Sequence, residues 1–385
     1  MGAPWRARRV PEGVRPVKNP HFSAKLLRDR LKSDAAGNIA LKALSLVYTG
    51  VIAARRWLYK TGAIRPRSLP VPVICFGNIS SGGTGKTSTV VAAAQELARS
   101  GRRPAVLLRG YKRRSSKHNV VVLARGRSFD LADTGDEALM LYRMLEKEGV
   151  PVLVSSDRYA SGMTAVNELG ADVILMDDGF QHFALARGTD IVLVNATAPF
   201  YADSVLPHGD LREPAAGLAR ARAVIISHCE QGRQETIEEL CAQIKTLNPG
   251  AQIIESMHAP EFFLDPVTAH PVDLNVLKGR PAAALSAIGD PDSFEGALRK
   301  MKIDLKQVWR YPDHHAFTLA ELAAAQQARG ELPLITTYKD FARFPAGWQE
   351  ILKGGVLILS VKIVFLCDGW KKLTEVMDAA AGGKA

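Results

Sequence analysis

The residues best placed to do chemistry are Ser80-Ser81-Gly82-Gly83-Thr84-Gly85-Lys86-Thr87. This turn lies between an apolar run, Val71-Pro72-Val73-Ile74-Cys75-Phe76, and a helical pattern from Ser88 to Ser100. Strand, glycine-rich turn and helix together form the context of a phosphate-binding P-loop. Glycines let backbone N–H groups close around phosphate oxygens, and the helix N-terminus adds positive potential. Lys86 is placed to reach β- and γ-phosphates, and the Thr87 hydroxyl to hold Mg²⁺. Ser80 stands where G-x-x-x-x-G-K-[ST] has its first glycine, and Gly82, Gly83 and Gly85 supply the flexibility. The bland alternative is a glycine-rich turn that binds nothing.

Four other polar clusters bear on the same chemistry. Asp177-Asp178 follows the apolar run Val173-Ile174-Leu175-Met176, as a Walker B acid does, and either carboxylate could hold the metal. Thr134-Gly135-Asp136-Glu137 opens a helical pattern. Thr134 and Glu137 fit a capping box, which leaves Asp136 free to act as a general base toward a hydroxyl group, or simply to favour the helix N-terminus. Asp313-His314-His315 lies between a strand and a helix, where it is either a surface turn or a partner for that base. Arg109, Arg158 and Arg212 are candidate anion clamps, since guanidinium groups grip phosphate in bidentate fashion; surface arginines are the ordinary alternative.

The elements that must position these groups alternate. Strand patterns at 71–77, 104–109, 119–124, 150–155, 172–177, 190–195 and 222–227 are interleaved with helical patterns at 86–100, 134–148, 157–168 and 233–246. Such alternation predicts an α/β fold with a parallel sheet covered on both faces. The pattern loosens at 250–280 and resumes at 281–380 as a second, smaller α/β unit. Each polar cluster of the first unit follows a strand, so they should converge on the carboxyl edge of the sheet, where ligands bind. The expected division is a basic arm over 1–38, an amphipathic helix over 39–65, a P-loop domain over 66–255 and a smaller α/β domain over 256–385.

Composition narrows the partners. The net charge of +11 is concentrated at one end: the first 70 residues hold 15 Lys and Arg against 3 Asp and Glu, and the rest hold 35 against 36. A basic arm of this kind suits nucleic acid or an anionic membrane surface. Between Ile39 and Lys60 a Trp-bearing apolar segment follows Lys25, Arg28, Arg30 and Lys32. Its charge-free run, Ala43 to Ala54, is shorter than the ~20 residues that span a bilayer. A helix lying on a membrane fits the pattern, and so does one docked on the protein's own core. No recognised nucleic-acid motif accompanies the arm. The four cysteines are scattered, without a C-x-x-C pair that would suggest a disulfide framework or a zinc site.

Taken in order, Gly77-Asn78-Ile79, the P-loop, Arg109-Gly110-Tyr111, Gly135-Asp136-Glu137, Asp177-Asp178-Gly179-Phe180-Gln181-His182, Leu211-Arg212-Glu213-Pro214, Gly289-Asp290-Pro291, Asp313-His314-His315-Ala316-Phe317 and Thr336-Thr337-Tyr338-Lys339-Asp340 resemble the tetraacyldisaccharide 4′-kinase (LpxK) family over residues 40–365. The resemblance implies ATP- and Mg²⁺-dependent phosphorylation of the 4′-hydroxyl of a tetraacylated glucosamine disaccharide 1-phosphate, a lipid A precursor. It also implies two domains joined by a β-hairpin, and peripheral or monotopic attachment at the cytoplasmic face of the bacterial inner membrane, with no nucleic-acid partner. By motif, Asp136 takes the base role with His314 as its partner. Asp177, Asp178 and Glu213 serve the metal and phosphate region. Arg109, Tyr111, Arg158 and His182 serve the sugar and its phosphate. Phe180 stands where the family usually has Leu, and Tyr338 where it often has an acid. The rival reading is a membrane-associated P-loop ATPase switch without a lipid-sugar substrate. Such switches often carry a second lysine in the loop, where this chain has Ser81.

Overall fold

The computed structural model describes residues 20–110, 120–127, 131–313 and 315–382, with backbone alone at 20–26, 131–132 and 136. The basic arm before Pro20, together with Tyr111 and His314, lies outside the described residues. The described chain forms two compact units, the larger from Arg28–His258 with Ile363–Ala385, the smaller from Ala259–Lys362 with the described residues up to Leu27.

The larger unit begins with the end of α1 (Pro20–Ser33), from Arg28 on, and α2 (Ala35–Lys60). It continues through β1 (Val73–Asn78), α3 (Lys86–Arg99), β2 (Pro104–Leu108), β3 (Val121–Leu123), α4 (Leu131–Thr134) and α5 (Asp136–Leu145). Then come β4 (Val152–Val154), α6 (Arg158–Leu169), β5 (Val173–Asp177), β6 (Thr189–Asn195), β7 (Ala223–Ser227), α7 (Gln234–Leu247) and the start of β8 (Gln252–Leu264). Its strands run in the order β8-β7-β6-β1-β5-β2-β4-β3, all parallel except β3, which pairs antiparallel with β4. This is the parallel sheet predicted from the alternation of elements.

Successive strand side chains point to opposite faces, so both faces of the buried strands are apolar. Ile74, Phe76, Val173 and Leu175 join one core cluster with Val90, Ala94 and Leu97 of α3. Val73, Cys75, Ile174 and Met176 join another with Ala165 of α6. Each fully buried Ile, Leu or Phe contributes about 1.5–3 kcal/mol, so helices on both faces hold β1 firmly.

The smaller unit holds β9 (Pro271–Val272), β10 (Pro281–Ser286), α8 (Pro291–Lys300), β11 (Asp304–Arg310), α9 (Leu319–Arg329), β12 (Leu334–Thr337), α10 (Tyr338–Phe341), α11 (Trp348–Ile351) and most of β13 (Val356–Phe365). Its parallel strands run β11-β10-β12-β13.

Two expectations are corrected. The loosened region at 250–280 contains β8, a strand of 13 residues, and the expected boundary at 255/256 falls inside it. The helix at the C-terminus, α12 (Gly369–Ala380), expected in the smaller domain, packs Leu373, Val376 and Met377 into the same core cluster as Ile74 and Phe76.

α2 is docked by a narrow seam. Gly37, Leu41 and Ser45, four residues apart, are its buried residues. The Ser45 hydroxyl donates to the Val205 carbonyl at 2.9 Å and accepts from the His208 N–H at 3.0 Å, and the Asn38 carboxamide meets His208 Nε2 at 2.9 Å. Ile39, Leu44, Leu46, Val47, Val51 and Trp57 remain exposed. The helix extends beyond its charge-free run, and by length and composition it is long enough and apolar enough to cross a membrane.

Candidate active site

β1 ends at Asn78, where the sheet hands the chain to the P-loop. Asn78 Nδ2 donates to Thr84 Oγ1 at 3.3 Å, and Asn195, at the end of β6, donates to the Gly83 carbonyl at 3.2 Å. Ser80 forms a bridge with Leu211, and the Ser81 N–H donates to the Asp210 carbonyl. Gly85 has φ +73°, and a Cβ there would lie 2.5 Å from His258 Cε1. Only glycine fits that conformation and that approach. Lys86 then opens α3, so the loop leads directly into the positive N-terminus of that helix.

Lys86 Nζ lies 3.5 Å from Asp178 Oδ1, and Arg212 Nη1 holds both Asp178 oxygens at 2.8 and 2.9 Å. Burial alone would raise the Asp178 pKa, but the two cations outweigh it and hold the carboxyl below its usual range. Asp178 has φ +53°, a strained backbone for a non-glycine residue of the kind that gathers at functional sites. Arg212, expected as an anion clamp, is thus also the counterion of this acid.

Asp177 stands apart. It is 2% exposed, and among the described residues neither carboxylate oxygen has a hydrogen-bond partner. Burial, and after it the Glu137 carboxylate, push its pKa up to about 7, against the opposing pull of Lys86. The Thr87 hydroxyl, on the first turn of α3, donates to Glu137 Oε1 at 3.3 Å. A hydroxyl, an orphaned carboxylate and a second acid beside a lysine are a hard-oxygen donor set that fits Mg²⁺. Thr87, Asp177 and Asp178 would hold the ion, directly or through its waters.

Glu213, expected with the metal, is engaged elsewhere. Arg220 grips both its oxygens at 2.9 and 3.1 Å, and Gln181 donates to it at 2.8 Å and to the Asn78 carbonyl at 2.9 Å. The Glu213 side chain therefore buttresses the end of β1. The capping box expected of Thr134 and Glu137 is not formed. Gly135 is the N-cap of α5, and Glu137 turns to the P-loop. Asp136 is the first residue of α5, so its backbone lies next to the residue that reaches Thr87.

Beyond β5 and β4 lies a cluster of cationic side chains. Arg158, at the start of α6, is buried and donates to the Ser155 carbonyl at 2.6 Å, while its Nε has no partner among the described residues. Burial and then Arg109 lower its pKa to about 10, which leaves it charged at neutral pH. His182 is driven down to about 4 by burial, then by Arg158, Arg187, Arg55 and Arg109, so its imidazole is neutral. Arg187 is paired with Asp190 at 2.8 Å, so Arg158, Arg109 and Arg55 carry the field that favours an anion near this neutral imidazole. Arg109 is exposed at the end of β2. A groove of about 280 Å³ lies between α2 and the turn after Glu213, lined by Ile52, Trp57, Pro214 and Gly217, with Arg56 and Lys60 on its rim.

Sequence reasoning missed Glu137 as a P-loop neighbour, Asn78 and Asn195 as loop braces, and the group His228, Glu230 and His258. Two of these carried a signal, since Asn78 and Glu137 lie inside quoted motifs. The histidines carried none, because residues far apart in sequence bring them together. The His228 and His258 rings stack at 4.4 Å with a 25° tilt, and Glu230 accepts from the His258 N–H at 3.2 Å. Their ligating atoms lie within 4.8 Å of one another. Stacked rings point their nitrogens side by side, however, whereas a tetrahedral ion with ~2.1 Å bonds needs ligand atoms about 3.4 Å apart around one centre. The trio is a packed wall behind Gly85. In the smaller unit, His315 is buried against Glu321 at 3.0 Å and stacked on Tyr311, a structural arrangement.

A family model described as tetraacyldisaccharide-1-P 4′-kinase, LpxK, matches residues 37–381. The chain belongs to this family. It is 41% identical over 337 residues to a tetraacyldisaccharide 4′-kinase of Elusimicrobium minutum, covering 87% of this chain and 90% of that protein. It is 38% identical over 299 residues to one of Anaeromyxobacter dehalogenans, covering 77% and 78%. Among solved structures it resembles LpxK from Aquifex aeolicus in complex with ATP, with a TM-score of 0.71, 28% identity, and coverage of 89% of this chain and 99% of that one. Family membership makes the chain a kinase of lipid A biosynthesis. The matched span, residues 37–381, contains the region 40–365 over which the sequence resembles the family.

Proposed function

We propose that this protein transfers the γ-phosphate of ATP to the 4′-hydroxyl of a tetraacylated glucosamine disaccharide 1-phosphate at the cytoplasmic surface of the bacterial inner membrane. The observation that carries the reading is the orphaned carboxylate of Asp177 beside Lys86, Asp178 and the Thr87 hydroxyl. A buried acid without a partner suits a site completed by a cation and a polyphosphate. When bound, Mg²⁺ would neutralise charge on the β- and γ-phosphates.

The chain's own groups supply the rest. The N–H groups from Gly82 to Thr87, at the start of α3, bind phosphate oxygens, while the Ser81 N–H is held by the Asp210 carbonyl. Lys86, held at the P-loop by Asp178, moves its ammonium onto the γ-phosphate as charge builds there. Asp136 receives the proton of the acceptor hydroxyl, with His314 as its partner by motif. Arg109, Tyr111, Arg158, His182 and Arg212 take the anionic end of the lipid sugar, and the field around His182 supports that role. The groove between α2 and Pro214 offers apolar walls and basic rims, which suits an acyl chain with an anionic head. The exposed apolar face of α2 brings the enzyme to a substrate that stays in the bilayer.

The deciding experiment incubates purified protein with ATP, Mg²⁺ and the disaccharide lipid, then weighs the lipid by mass spectrometry. A gain of one phosphate on the sugar is expected. ATP hydrolysis at the same rate with and without the lipid, and no added phosphate, would instead mark a nucleotide switch.

A further inference from the structure

Ser81 does not sit free in the P-loop. Its N–H donates to the Asp210 carbonyl at 2.6 Å and its hydroxyl donates to the same oxygen at 2.9 Å. One residue thus takes two hydrogen bonds from the loop that must wrap the phosphates. Asp210 is itself fixed from three directions. Its N–H donates to Asp203 Oδ2 at 2.9 Å. The next residue, Leu211, donates to the Ser204 carbonyl at 3.0 Å and bridges to Ser80. Its carboxylate is gripped by Arg28, whose Nη1 lies 2.6 Å from Oδ1 and whose Nη2 lies 3.3 Å from Oδ2. Arg28 Nη1 also donates to the Gly209 carbonyl at 2.8 Å.

Arg28 belongs to α1, the helix that precedes the anchoring helix α2. The same strap, residues 203–211, carries the seam to α2: Val205 accepts from Ser45, and His208 bonds to both Ser45 and Asn38. So one short segment is held on one side by the N-terminal helices and on the other by the P-loop. Bidentate guanidinium–carboxylate pairs fix orientation as well as distance. The Arg28 side chain is 14% exposed and that of Asp210 43%, so the pair is sheltered from the arginine side.

We propose that Arg28 is a positioning residue for the phosphate-binding loop: by fixing Asp210 it places Ser81, and it thereby couples the seating of the N-terminal helices to nucleotide affinity. The two equilibria are linked, so each must strengthen the other by the same factor. A helix seated at a lipid surface then holds the P-loop ready, and a bound nucleotide in turn tightens the helix onto the strap. The inference rests on ATP being the ligand of the loop.

The test uses the full chain in detergent and a non-hydrolysable ATP analogue with Mg²⁺. Wild-type protein that fails to bind the analogue would sink the assignment of ATP to the loop; the inference is judged only against wild-type protein that binds it. Arg28→Gln is expected to weaken analogue binding, and to raise the KM for ATP, by about 5- to 20-fold, with the KM for the lipid sugar unchanged. Arg28→Lys keeps a cation and should recover part of the loss. Asp210→Asn should weaken binding similarly, and the double variant Arg28→Gln with Asp210→Asn should lose no more than either alone. Hydrogen exchange at residues 28–45 should slow when the analogue binds wild-type protein, and not when it binds Arg28→Gln. Unchanged ATP affinity in Arg28→Gln, additive losses in the double variant, or equal rises in KM for both substrates would each overturn the coupling.

Discussion

Asp177 is only about half charged at neutral pH unless a cation balances it. In the metal-free protein burial and Glu137 keep its carboxyl protonated up to about pH 7. An acid whose pKa is raised by folding binds more protons folded than unfolded over the interval between its two pKa values, so stability is full below about 3.8 and falls as pH rises to 7. Metal-free wild-type protein should therefore lose on the order of 2–3 kcal/mol between pH 5 and 7.5. Asp177→Asn should not show that loss, and denaturant midpoints of the two proteins at both pH values provide the comparison. A parallel decline in both would place the titration elsewhere. Asp136 makes a different claim. Its peptide opens α5 one residue before Glu137, which reaches Thr87. If it is the general base, Asp136→Asn should lower kcat by about 10²- to 10⁴-fold while equilibrium binding of the ATP analogue stays within about 3-fold. Loss of nucleotide binding in that variant would move Asp136 to the metal.

At the scale of elements, α2 gives the sharpest expectation. A seam of three small or apolar residues, four apart, docks it, while six large apolar side chains stay in solvent. Changing Leu46 and Val47 together to glutamate should leave the seam intact. Co-sedimentation with anionic vesicles should drop by at least about 10-fold, since two apolar contacts of 1.5–3 kcal/mol each are lost and two like charges are added. Unchanged sedimentation would mean that another surface attaches the protein. The elements also show what a reader of the sequence can recover. β1, its turn and α3 are legible because an apolar run, glycines with a terminal Lys-Thr, and a helical pattern all agree locally. β8 is hidden by Pro260, which reads as a breaker, although prolines are tolerated in strands where no N–H partner is required. The Thr134–Glu137 capping box follows local rules, and a tertiary contact from Glu137 to Thr87 overrides it. The place of α12 depends on packing against β1, almost 300 positions earlier, and no local pattern encodes such a contact.

For the whole molecule, family membership and site geometry point the same way. The neutral body and basic N-terminal segment suit an enzyme whose nucleotide comes from solution and whose acceptor stays in a lipid sheet. The path of the backbone has its own corollary. The chain leaves the larger unit along β8 and returns along β13, and Leu366, just past β13, donates its N–H to the Glu255 carbonyl within that unit. Exit and re-entry are therefore neighbours, and residues 259–362 are an insert between two parts of one scaffold. A shortened gene that joins His258 to Ile363 through a brief glycine–serine turn should encode a fragment that still captures the ATP analogue, as calorimetry would record, yet phosphorylates nothing. A fragment that cannot hold nucleotide would show that the insert is needed to shape the scaffold.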